Sequence, residues 1–124
     1  MQKVTGIGGV FFKARNPKEL MEWYDQHLGL TFTHGFIEFK WVADQDEKTT
    51  ASTTFSIFKE DASNFEPSEK PFMINFRVSD LKALLSELKE KGVTIIGDME
   101  DYDFGLFGHI MDPEGNKIEL WEPK

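Results

Sequence analysis

The chain has 124 residues, 40% of them hydrophobic, and contains no cysteine. That length supports one compact domain, residues 1–124, around a single core, and the missing cysteine excludes disulfides, zinc–thiolate sites and cysteine nucleophiles. Against 22 acidic residues stand 14 basic ones, a formal net charge of −8, which argues against a nucleic-acid partner because a phosphate backbone needs a clustered positive face.

No run is long and apolar enough for a membrane span, and the N-terminus does not read as a signal peptide. The expectation is a cytoplasmic protein with no membrane partner. Residues 4–14, rich in glycine, β-branched and aromatic residues, predict a strand. Gly6, Gly8 and Gly9 are unusual inside one and point to a close approach of backbone or ligand, or to relief of crowding in the sheet. Asn16-Pro17-Lys18-Glu19 starts a helix, with Asn16 as cap and Pro17 at the first helical position. Leu20, Tyr24 and Leu28 form its apolar stripe, Gly29 ends it, and His27 is placed to meet its last carbonyls.

A short strand is predicted at 31–34, with His34 in a surface bend beside Gly35. Residues 36–43 alternate as a strand, 44–48 read as a charged turn, and 49–59 as a further strand. Residues 60–71 are polar, irregular and contain Pro67, and read as a linker. Strand 72–78 follows, then a helix capped by Ser79 or Asp80, whose Leu81, Leu84, Leu85 and Leu88 recur at helical spacing up to the stop at Gly92. A short strand is expected at 93–96 and a solvated acidic loop at 97–104. The segments 106–111 and 117–122 form a hairpin around the turn at Asp112-Pro113-Glu114-Gly115. If that hairpin turns symmetrically about Glu114, His109 lies across from Glu119.

The order strand, helix, strands occurs twice. A shift of 64 residues lays Gly9 on Met73, Phe12 on Phe76, Asn16 on Asp80 and Leu20 on Leu84, and Phe55-Ser56-Ile57-Phe58 falls on Ile118-Glu119-Leu120-Trp121. The fold class that follows is α+β, two βαβββ modules in tandem (1–59 and 72–124) joined by the linker and paired about a pseudo-twofold axis.

Three motifs carry a resemblance: Trp23-Tyr24-x-x-x-Leu28-Gly29-Leu30, Phe76-Arg77-Val78-Ser79-Asp80-Leu81, and the run from Asp112 to Pro123. With the repeat, the chain resembles the vicinal oxygen chelate superfamily of glyoxalases, bleomycin-resistance proteins and extradiol dioxygenases. The resemblance implies curved mixed sheets around a cleft, helices outside, and a homodimer. It also implies four strand positions that in metal-using members supply ligands; here they are Gly9, Ser56, Met73 and Glu119. Only Glu119 is a plausible donor, so no cofactor is expected and a divalent metal is disfavoured.

Strand parity turns Gly9, Phe11, Lys13, Thr54, Ser56, Phe58, Met73, Asn75, Arg77, Lys117, Glu119 and Trp121 toward the cleft, with His109, Phe107, Glu38 and Lys40. The candidate ligand-binding residues are Phe11, Ser56, Phe58, Met73, Asn75, Phe107 and Trp121, and the candidate catalytic pair is Glu119 with His109. Apolar walls with a few polar points suit a small organic molecule. The plainer readings are that the aromatics are core and that Glu119 is a carboxylate held by His109 or water. Three functions are open. One is a metal-free binding protein for an apolar or aromatic ligand. Another is a glyoxalase-like lyase or isomerase, or a dioxygenase-like enzyme, with Glu119 as base or metal ligand. The last is a subunit whose vestigial cleft leaves only protein contact.

Overall fold

A computed structural model of the chain describes residues 3–43 and 46–124. Among these, seven strands and two helices follow in the order β1 (Val4–Ala14), α1 (Pro17–Leu28), β2 (Phe36–Ala43), β3 (Asp46–Lys59), β4 (Phe72–Val78), α2 (Leu81–Glu90), β5 (Ile95–Tyr102), β6 (Gly105–Met111) and β7 (Lys117–Pro123). The strands join in one open mixed sheet, β2-β3-β1-β4-β7-β6-β5. The fold is α+β with tandem modules.

The internal repeat is visible as sheet register. β1 pairs β4 antiparallel with Val10 opposite Ile74, Gly9 opposite Asn75 and Phe11 opposite Met73. The shift of 64 exchanges the last two pairs, so the pseudo-twofold axis passes through the Val10–Ile74 pair. On either side the same parallel contact recurs, Phe11 with Ser56 and Asn75 with Glu119. Residues alternate across these strands. Phe76, Leu120, Ile118 and Ile110 turn to the helix face, where they pack around Leu81 and Leu84. The opposite face carries Asn75, Glu119 and Trp121.

The helices form where their caps dictate. The Asn16 side chain accepts from the Glu19 N–H at 3.2 Å, and Asp80 does the same for Ala83 at 3.1 Å. Gly29 closes α1 in the left-handed conformation, φ 69°. The His27 Nδ1–H donates to the Trp23 carbonyl at 2.9 Å, as expected of an imidazole in a last helical turn. α2 buries Leu81 and Leu84, whereas α1 buries no residue fully and leans on half-buried rings, Tyr24 edge-on to Phe55 at 5.6 Å.

Four expectations need correction. Residues 31–34 form no strand; only Thr33 bridges Phe36. The Thr31 hydroxyl donates to Asp25 at 3.1 Å, and His34 and Gly35 turn with positive φ, so the chain reverses before a ladder can grow. The expected acidic loop is instead mostly strand β5, and of the expected strand 93–96 only Ile95 and Ile96 belong to it. Backbone pairing with β6 needs no apolar side chain on the open edge. Met99 packs inward, while Asp98 and Asp101 are exposed, as suits an edge strand. Of the expected charged turn at 44–48, Asp44 and Gln45 lie outside the described residues, and β3 already begins at Asp46.

The linker is irregular, as expected, but it is anchored. Phe65 is fully buried and packs on Phe58 at 5.1 Å, the Ser68 hydroxyl donates to the Gly115 carbonyl at 2.7 Å, and Lys117 Nζ donates to the Asn64 carbonyl at 2.8 Å. The β6–β7 turn is pinned by Asp112. Its Oδ1 accepts from the N–H groups of Glu114 and Asn116, both at 2.9 Å, and its Oδ2 from Asn116 Nδ2 at 2.7 Å.

The Asn116 side chain, and then the Asn116 and Glu114 backbone donors, hold the Asp112 carboxyl below its ordinary pKa. A lowered folded-state value stabilises the fold above the unfolded value of about 3.9 and is lost as pH falls through the lower folded value. Asp112→Ala is expected to lower the urea midpoint at pH 7. That difference should shrink below pH about 4, read from unfolding curves of both proteins across pH.

Candidate functional site

Glu119 lies on β7 between two neighbours that the register places beside it, Asn75 on β4 and His109 on β6. Asn75 Nδ2 donates to Glu119 Oε1 at 2.7 Å. His109 Nε2 lies 2.8 Å from Glu119 Oε2, so with the carboxylate ionised the Nε2–H donates to it. Both side chains are largely withdrawn from water, 13% exposed for His109 and 16% for Glu119. Beyond them, His109 Nδ1 is 3.9 Å from Glu100 on β5, and the Tyr102 hydroxyl donates to the other Glu100 oxygen at 2.7 Å. That last bond is the main reason the Tyr102 phenol is raised above its ordinary pKa. A chain of hydrogen-bonding groups thus runs from the exposed edge to the middle of the sheet. Asn75 itself is buried, and because its amide nitrogen serves Glu119, its Oδ1 is left without a partner.

Two cavities flank this pair. One, of about 600 Å³, is lined by Phe11, Phe58, Ser63, Asn64, Met73, Glu100, Tyr102, Phe104, Phe107, His109, Lys117 and Glu119. The other, of about 460 Å³, is lined by Gly8, Phe11, Phe36, Glu38, Thr54, Asn75, Phe104, Phe107, Glu119 and Trp121. Phe11, Phe104, Phe107 and Glu119 belong to both, so the two form one cleft. Its wall is an aromatic ladder: Phe107 stacks on Trp121 at 6.0 Å, Phe104 meets Phe107 edge-on at 5.6 Å, and Tyr102 stacks on Phe104 at 5.4 Å. Phe11 and Phe58 meet edge-on at 5.7 Å on the far side. Lys117 is buried at the floor, and desolvation lowers its pKa despite the pull of Glu119, Glu100 and Glu66.

The structure brings together Phe11, Phe58, Met73, Asn75, Phe107, His109, Glu119 and Trp121 as strand parity predicts. Ser56 stands apart, its hydroxyl donating to the Gly35 carbonyl at 3.0 Å, outside the lining of these cavities. Glu38 lines the cleft and Lys40 does not. Sequence reasoning missed Glu100, Tyr102 and Phe104. The acidic segment hid them: Met99-Glu100-Asp101-Tyr102 does not alternate apolar with polar and so carries no strand signal. Gly8 answers the close approach that its glycine pointed to, but parity counted from Gly9 put it on the other face; β1 shifts register between Ile7 and Gly9, which turns Gly8 to the cleft as well. The glycines mark close approaches. A Cβ on Gly6 would strike the Trp41 ring, one on Gly8 the Asn75 Oδ1 and Trp121, and one on Gly9 the Phe11 ring.

The four strand positions that carry metal ligands in the resemblance do not fit a divalent ion. Gly9 has no donor and lies under Phe11, Ser56 is committed to Gly35, and Met73 offers a buried thioether. Both Glu119 oxygens already accept hydrogen bonds. Among the described residues, no three His, Cys, Asp or Glu side chains gather as a metal site.

The family model described as Glyoxalase/Bleomycin resistance protein/Dioxygenase superfamily matches residues 6–120, and the chain belongs to that superfamily. No curated protein matches the sequence. Among solved structures, the fold is similar to methylmalonyl-CoA epimerase from Mycobacterium tuberculosis, at 21% identity over 100% of this chain and 91% of that one, TM-score 0.67. It is similar to the Streptomyces coelicolor methylmalonyl-CoA epimerase in complex with 2-nitronate-propionyl-CoA, at 13% identity over 97% and 98%, TM-score 0.70. A glyoxalase/bleomycin resistance protein/dioxygenase superfamily member from Vibrio splendidus 12B01 is similar at 11% identity over 94% and 97%, TM-score 0.62. These likenesses are of fold. Among the described residues, no helix is long and apolar enough to cross a membrane.

Gly8→Ala tests the cleft directly. The new methyl group would press on Trp121 Cε3 at 2.9 Å and on the Asn75 amide. Overpacking of this kind costs about 1–3 kcal/mol. The expected outcome is a lower melting temperature and an altered Trp fluorescence spectrum, with the far-UV circular dichroism of the fold retained.

Proposed function

We propose that this protein binds a small apolar or aromatic organic molecule in the cleft between its modules, without a metal. The observation that carries the reading is the state of Glu119. Of the four ligand positions implied by the superfamily it alone has a suitable donor, and both its oxygens are already held by Asn75 and His109 within an aromatic cleft. Flat rings at Phe104, Phe107 and Trp121 offer stacking area, and the buried polar pair offers orientation. A thermal-shift screen of aromatic small molecules, run with and without a chelator, is expected to give hits that survive the chelator and that Trp121→Ala removes. A stoichiometric metal in the purified protein, or a metal-dependent rise in melting temperature of several degrees, would sink the metal-free reading.

A second reading rests on the Glu119–His109 pair itself. A carboxylate 2.8 Å from an imidazole, both mostly withdrawn from water, is a competent proton acceptor for a carbon acid bound beside it. The reaction class would be a glyoxalase-like isomerisation or lyase step, with Glu119 taking the proton, His109 holding the carboxylate in place, and Asn75 fixing its other oxygen. The likeness to the epimerase fold is compatible with this. Where turnover is found, Glu119→Gln is expected to lower kcat by about 10²–10⁴, the usual contribution of a positioned base; unchanged turnover removes Glu119 from that role.

A further inference from the structure

Among the described residues, Arg77 is a cation without a counter-ion. It lies on β4 two residues beyond Asn75, about 7 Å along the strand, and stands opposite Trp121 in the register. Its guanidinium carbon is 5.2 Å from the Trp121 ring and 5.7 Å from the Trp41 ring. Among the described residues, no carboxylate comes within ion-pair distance of it, and its side chain donates no hydrogen bond. In a chain of net charge −8 such isolation is unexpected.

Arg77 lines a third cavity, of about 700 Å³, which shares Phe104, Trp121 and Glu38 with the cleft already described. The acids of that cavity do not serve it. Glu122 caps α2, its Oε1 accepting from the Leu81 N–H at 2.8 Å, and among the described residues Glu38 makes no ion pair. The two indoles satisfy the face of the cation. Its N–H groups, a fork suited to a planar two-oxygen acceptor, have none among the described residues.

We propose that Arg77 is the anion-binding point of the cleft, and that the molecule bound there is an aromatic monocarboxylate. The carboxylate would be held by the Arg77 fork and the ring laid against Trp121 and Phe107, directed at Glu119. This rests on the reading of the cleft as a small-molecule site and adds the class of molecule. A monoanion suits the site better than a phosphate dianion, because Glu38 and Glu122 line the same cavity and its second cation, Lys124, is already paired with Asp101. An arginine serving only as a packing staple between tryptophans is the competing role, and it predicts no selectivity for charge.

The experiment is isothermal titration of the full chain at pH 7 with 2-naphthoate, 2-naphthamide and 2-naphthyl phosphate. The expected result is binding of naphthoate at least about tenfold tighter than naphthamide, the gain typical of a charge-assisted pair. Arg77→Met should abolish that preference while leaving naphthamide binding in place, and Arg77→Lys should restore part of it. Equal affinities for naphthoate and naphthamide in the unmodified protein overturn the inference and leave the cleft reading standing. Tighter binding of the phosphate overturns the carboxylate assignment. If neither naphthoate nor naphthamide binds, this inference falls, and the cleft reading falls with it only where the broader screen is also empty. Should Arg77→Met fail to fold, the comparison of ligands on the unmodified protein still decides.

Discussion

The antiparallel pairing of β1 with β4 is the contact on which the rest of the structure depends. It crosses the pseudo-twofold axis at Val10 and Ile74 and joins two modules whose half-sheets each expose a face that must be covered. Everything that shapes the cleft follows from that register. It sets Gly9 beside Asn75 and Phe11 beside Met73, and the parallel ladders on either side carry Ser56 and Glu119 to equivalent positions. With no cysteine to staple it, the chain relies on this shared ladder and on burial to keep its halves in register.

Symmetry of the backbone makes the asymmetry of the chemistry easy to read. Where module 2 sets His109 against Glu119, module 1 sets Phe36 against Ser56. Where β4 offers Asn75, the equivalent position of β1 offers Phe11. The polar machinery therefore belongs to module 2, while the first module contributes mainly wall. The cores divide in the same way. α2 seats leucines fully in module 2, whereas α1 rests on half-buried rings of Tyr24, Phe32 and Phe55.

Two segments that look dispensable close the cleft. The linker inserts Phe65 behind Phe58, with Lys13 Nζ above the Phe65 ring at 5.3 Å. The β5–β6 turn lays Phe104 over the opposite side, where the Trp121 Nε1–H donates to its carbonyl at 3.2 Å. Glycine at 105 makes that approach possible, since a Cβ there would meet Trp121 and the Glu122 carbonyl. A cleft open along the sheet is thus narrowed at both ends by residues outside the regular strands.

Local pattern determined most of the architecture. Caps at Asn16 and Asp80, stops at Gly29 and Gly92, the period-2 strands and the repeat are all short-range signals, and they sufficed for the modules, the axis and the pair His109–Glu119. Parity alone also chose most of the cleft wall, because the side chains of a regular strand have only two faces. What the chain could not reveal is what depends on distant partners. Pairing with β6 turns an acidic stretch into β5, a register shift brings Gly8 to the cleft, and Ser56 is claimed by the Gly35 carbonyl. Arg77 is the clearest case. Its sequence neighbours mark it only as one cleft-facing residue of a strand. The tertiary structure alone sets it between Trp41 and Trp121, with no ion pair among the described residues, because both indoles come from strands remote in sequence.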